Sequence, residues 1–183
     1  MTDLLDRPTT ATTHPVWSPR LPATDAAEEF YRHNPADPPT RSIRIDVGDA
    51  SNASQRWLAA YVERQINNLL GLPAGWDGYR GRPLAEAAVE SAVLTLFEIA
   101  GDWSLAPQIF PLADGGIQME WHVGGNSLEI EIDAIGEVHV LSVNSRGAVE
   151  LEGVPADTSG LELRVARDTL NRLSAIAAGA IQG

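Results

Sequence analysis

Cysteine and lysine are both absent from the 183 residues, and no apolar run reaches the roughly 18 residues of a membrane-spanning helix. Without cysteine there is no disulfide, zinc–thiolate centre, iron–sulfur cluster or thiol nucleophile. Without lysine there is no Schiff-base chemistry, phosphate-loop lysine or lysine general base, and all 13 basic residues are arginine. The opening Met1-Thr2-Asp3 has no basic stretch followed by an apolar core, so no secretory signal is read there. The four histidines form no HExxH pair, and no serine lies in a nucleophile-elbow pattern. These absences lead to the expectation of a soluble cytoplasmic protein with neither cofactor nor resident metal.

What is present is acid. The 25 Asp and Glu outweigh the arginines to a net charge of −12. Residues 101–160 hold ten of those acids against Arg146 alone, which accounts for −9 of the total. A surface of that sign repels phosphate and anionic lipid, so the expectation is no direct nucleic acid and no membrane. It attracts a basic or Arg-rich protein partner, unless it serves only as a solvated face.

Residues 1–40 carry seven of the 12 prolines amid threonine and show no apolar period. They read as a flexible Pro/Thr-rich arm, with Thr24–Arg32 as an island of two helical turns. Residues 41–183 read as a single domain. Ser42–Val47 alternates as a half-buried strand. A helix follows from about Ser54 to Leu70, its apolar stripe made by Trp57, Leu58, Tyr61, Val62, Ile66 and Leu69. Gly71 is expected in the left-handed conformation at its end, with Pro73 beyond. A second helix spans about Leu84 to Ala100 and is apolar round most of its circumference, so a central position is expected.

After Pro107 the period changes from 3.6 to 2. Ile117, Met119, Trp121 and Val123 alternate with polar residues, as do Leu128, Ile130 and Ile132, then Val138 and Val140. Gly124-Gly125 reads as a two-residue hairpin turn and Ala134-Ile135-Gly136 as a three-residue loop. Asn144–Gly147 turns into a strand at Ala148–Glu152. Leu161–Val165 reads equally as a strand or as the start of a helix. The reading favoured is a short strand and then a helix from about Arg167 to Ala178. The fold class is therefore α+β: a two-layer sandwich, with an antiparallel meander of four to five strands packed on one face by two to three helices.

The two glycine bends set the strand pairing. A Gly124-Gly125 turn places Trp121 opposite Leu128, Glu120 opposite Glu129 and Gln118 opposite Glu131. The next loop places Ile132 opposite Val138 and Glu131 opposite His139. Both pairings keep apolar residues together, so each supports the other. The polar face then gathers Glu120, Glu129, Glu131 and His139, with His122 one row away. Facing carboxylates cost several tenths of a kcal/mol, which a cation, an arginine or a basic partner would relieve.

A second constellation is the long connector between the first two helices. Trp76, Asp77, Tyr79, Arg80 and Arg82 could stack on and hydrogen-bond a planar anion beside the next helix. Alternatively they form a self-packed loop, with Trp76 pinned in the core and its arginines paired with the acidic sheet. Gly75-Trp76-Asp77-Gly78-Tyr79, Asp114-Gly115-Gly116-Ile117-Gln118-Met119-Glu120-Trp121 and Leu128-Glu129-Ile130-Glu131-Ile132 together resemble a group of small uncharacterised bacterial proteins sharing this GWDGY…GGIQxEW…LEIEI pattern. The resemblance covers roughly residues 55–140 and implies no activity or catalytic residue.

The functional expectation is a non-enzymatic cytosolic binding module presenting its acidic sheet face to a basic partner, in the manner of antitoxins, immunity proteins or mobile-element accessory proteins. Two alternatives stand beside it. One is a metal-assisted hydrolase using Glu120, Glu129, Glu131 and His139. The other is a structural subunit of a homo-oligomer.

Overall fold

The alternating segments pair into one sheet because their period-2 pattern offers a continuous apolar side. A computed structural model describes residues 41–48, 52–154 and 160–181. The strands are β1 (Gln108–Pro111), β2 (Ile117–Val123), β3 (Asn126–Ile132), β4 (Val138–Val143) and β5 (Val149–Gly153), antiparallel in the order β1-β2-β3-β4-β5. Both glycines of the β2–β3 turn have positive φ, 57° at Gly124 and 79° at Gly125, as a mirror-image turn requires. Both expected registers are observed: Glu120 pairs with Glu129, Trp121 with Leu128, Glu131 with His139 and Ile132 with Val138.

Among the described residues three helices cover the apolar side, giving the two-layer α+β sandwich. Helix α1 (Ala53–Leu70) starts at Asn52, whose side chain accepts from Gln55 N–H while the Gln55 side chain accepts from Asn52 N–H. It buries Leu58, Val62, Ile66 and Leu70. Helix α2 (Glu86–Ile99) buries Ala88, Val89, Ala92, Leu96 and Ile99. Helix α3 (Leu161–Ile181) contributes Leu163, Ala166, Leu170 and Leu173. These meet Ile117, Met119, Trp121, Leu128, Ile130, Ile132 and Val140 from the sheet. The segment between α2 and β1 is tied on both sides. Trp121 Nε1–H donates to Leu105 O at 2.8 Å, Leu105 N–H donates to Ser174 Oγ, and Tyr61 O–H donates to Pro107 O.

Several expectations are corrected. Ser42–Val47 forms no strand and pairs with none among the described residues. Its N–H groups find side chains of α1 instead, Ile43 donating to Asn67 Oδ1 at 2.8 Å and Ile45 to Glu63 Oε2 at 2.9 Å. Its alternation arises because Ile43 and Ile45 pack against the core. Leu161–Val165 is the first turn of α3, not a strand. Of its alternating residues only Leu163 is buried, whereas Leu161 is 64% exposed. Gly71 stays right-handed at φ −77°, and Leu72 N–H caps by donating to Leu69 O. Trp57 lies off the buried stripe, 58% exposed and stacked on Tyr61. Helix α2 also exposes Ala87 and Leu94, so it covers the sheet without being enclosed. The proposed arm and the Thr24–Arg32 island lie outside the described residues.

On the buried side of β4, Ser142 sits between Leu128 and Leu151 with no exposed surface. Among the described residues its hydroxyl has no hydrogen-bond partner. A buried hydroxyl left unpaired costs about 1–3 kcal/mol, so Ser142→Ala is expected to stabilise the fold by about 1 kcal/mol. Urea unfolding checks this: a raised midpoint at unchanged slope is the expected result, and a lowered midpoint contradicts it.

Candidate functional site

Strand pleating sends alternate residues of the meander away from the helices, and the register stacks them into rows. One row crosses all five strands as Gln108, Glu120, Glu129, Leu141 and Glu152. The next runs Phe110, Gln118, Glu131 and His139. A third begins His122, Ser127 and Val143. The structure thus brings Glu120, Glu129, Glu131 and His139 onto one face that no described element covers, with no arginine in any of these rows. Glu120 has a local partner in His122, Oε2 to Nε2 at 3.0 Å. Among the described residues Glu129, Glu131 and Glu152 form no ion pair.

Sequence reasoning did not place Phe110, Leu141 or Glu152 on this face. Phe110 belongs to a strand of only four residues, ending in Pro111. Beyond β4 a register irregularity at Ser142/Val143 defeats simple pairing arithmetic. The result is a groove of about 720 Å³ whose lining includes Glu129, Glu131, His139 and Glu152 beside apolar Leu112 and Leu141. Asp114 and Asp133 also line it, but backbone amides occupy their carboxylates. Asp114 accepts from Gly116 and Ala134, and Asp133 from Ile135 and Glu137.

The connector between α1 and α2 folds on itself. Gly75 N–H donates to Gly81 O at 2.7 Å, and Trp76 Nε1–H to Arg82 O at 3.2 Å. Asp77 Oδ1 accepts from Gly81 N–H at 2.8 Å and Tyr79 N–H at 2.9 Å, and these donors hold its carboxyl below the ordinary value of 3.8. Gly81 is packed so closely that an added Cβ would lie 2.7 Å from Trp76 Nε1 and 2.9 Å from Asp77 Cγ. Arg82 N–H and Ala85 N–H, donating to Ala113 O and Gly115 O, tie the loop to the β1–β2 turn.

Two features of the expected loop are corrected. Trp76 is half-buried against its own loop and takes no part in the hydrophobic core. Arg80 and Arg82 make no ion pair with the sheet among the described residues. On α3, by contrast, Arg172 pairs with Glu150 and Arg167 with Glu98. The bond from Arg172, with a further one from Asn144, depresses the Glu150 carboxyl. The braced loop therefore presents Tyr79, 88% exposed, with Arg80 and Arg82, beside a shallow depression that includes Ala113 and Asp114.

Among the described residues, no three His, Asp or Glu side chains are placed to share a metal ion. The crowding of carboxylates on the sheet is that of a charged surface, without the convergence of a coordination shell. No helix among the described residues is long and apolar enough to cross a membrane. Neither family models, curated proteins nor solved structures give a match to this chain.

The depressed Asp77 carboxyl links loop stability to pH. A group whose folded pKa lies below its unfolded value stabilises the fold above the unfolded value. It loses that contribution as pH falls through the folded one. Wild type is therefore expected to exceed Asp77→Asn in stability at neutral pH, with the gap closing in acid below 3.8. Thermal unfolding across that range checks it, and a gap independent of pH contradicts it.

Proposed function

We propose that this protein is a non-enzymatic, cytosolic protein-binding module whose outer sheet face receives arginine side chains of a basic partner. The observation that carries this reading is the row Glu120–Glu129, with Glu131 and Glu152 alongside, on a face whose strands carry no arginine among the described residues. Burying charges without partners is costly, so such a face favours a binder that brings opposite charge. Arginine suits it best, because a planar guanidinium bridges two carboxylate oxygens and lays its flat surface on apolar side chains. Leu112 and Leu141 supply that apolar floor within the groove. A face of one sign also steers a basic partner during its approach. The hydrolase alternative lacks an equivalent support, since metal-assisted hydrolysis needs ligands that converge on one point.

Titration with a labelled oligo-arginine peptide tests the reading. The double variant Glu129→Gln, Glu131→Gln is expected to weaken binding by about tenfold, roughly 1.4 kcal/mol. The control Glu86→Gln, Glu90→Gln makes the same change in net charge on the exposed side of α2 and is expected to cost less than about twofold. Equal losses in the two variants would reduce the effect to net charge and overturn the proposal.

A further inference from the structure

The acidic groove and the arginine loop are neighbours. The linings of the two depressions share Ala113 and Asp114, both exposed, at the turn that joins β1 to β2. On one side of this turn lie Glu129, Glu131 and Glu152. On the other stand Tyr79, Arg80 and Arg82. Although adjacent, the two groups do not neutralise each other within the chain. The internal hydrogen bonds of Asp77, Trp76 and Gly81 hold the loop in its own shape, with its tip turned outward.

Two adjacent patches of opposite sign are self-complementary under a two-fold rotation. An axis through their common border carries the loop of one copy onto the groove of the other, and the reverse, so each contact is made twice. We infer that the partner of the acidic groove is a second copy of this chain, whose Arg80 and Arg82 enter the groove with Tyr79 packed beside them. The inference rests on the reading of the sheet face as a docking surface for arginine and names the source of the arginines. The loop suits this role because tyrosine and arginine are among the side chains most enriched at binding hot spots, and a braced loop loses little freedom on docking. Asp114 nearest the axis is partly compensated by the Gly116 and Ala134 amides, which lessens the repulsion between its two copies.

Charge exchange between copies tests this. Sedimentation equilibrium of the full chain from about 1 to 100 µM is expected to show a monomer–dimer equilibrium. Arg80→Glu with Arg82→Glu, and separately Glu129→Arg with Glu131→Arg, are each expected to be monomeric. Their mixture is expected to regain the dimer, because both exchanged contacts then join opposite charges. The milder Arg80→Gln with Arg82→Gln, checked for wild-type circular dichroism, is expected to weaken dimerisation at least about tenfold. A monomeric wild type, a dimer indifferent to these changes, or folded variants whose mixture stays monomeric would each overturn the inference. If the wild type is monomeric yet the oligo-arginine peptide binds in the groove, the sheet-face reading stands and only the second copy is wrong. If neither occurs, both fall.

Discussion

With Gly124 and Gly125 both at positive φ, the link between β2 and β3 is two residues long, and a link that short admits one pairing. A slip of one residue would turn Trp121, Ile130 and Ile132 out to water and put Glu129 and Glu131 into the core. With one face buried, register and hydrophobic burial thus enforce each other. The same constraint sets Glu120 against Glu129, an arrangement that no local requirement of the fold favours. The outer face is consequently an electrostatic by-product of the core until something of opposite charge covers it.

The charges are sorted by element. Two arginines of α3 spend themselves on the body, Arg167 reaching α2 at Glu98 and Arg172 reaching β5 at Glu150. Those of the connector do not. Their loop is held by backbone amides converging on Asp77, by the Trp76 indole, and by a glycine at 81 that leaves no room for a side chain. Such bracing keeps the tip from folding back onto the carboxylates next to it. Exposed acid and exposed arginine then coexist on either side of the Ala113-Asp114 turn.

How much of this could be read from the chain depends on where each segment satisfies its backbone. Gly124-Gly125, the Ala134-Ile135-Gly136 loop and the apolar alternation around them were sufficient for β2, β3 and β4, because side-chain burial and strand pairing there demand the same thing. β1 was not legible, since the four residues Gln108 to Pro111, with a proline at one end and another just before the other, carry too little alternation to stand out. Ser42–Val47 misled for the opposite reason. It alternates in burial as a strand does, but its amides are met by Asn67 and Glu63 of a helix, which no periodicity reveals. At Leu161–Val165 two periods coincide over five residues, and only the longer spacing through Leu163, Ala166, Leu170 and Leu173 decides for helix. The acidic residues at 120, 129 and 131 were legible as a group. Glu152 was not, because an irregularity in β4–β5 pairing intervenes.

The absence of native cysteine makes the register directly measurable. Glu120 and Glu129 are Cα partners across a non-hydrogen-bonded position counted from the two-residue turn, close enough for a disulfide, whereas Glu120 and Glu131 lie diagonally at about 7–8 Å. The measurement is the extent of intramolecular disulfide formed on mild oxidation by the Glu120→Cys, Glu129→Cys chain and by the Glu120→Cys, Glu131→Cys chain. Near-complete closure in the first and little in the second is the result expected from this arrangement. Preferential closure of the diagonal pair would contradict it and scatter the acidic face on which the proposed binding depends.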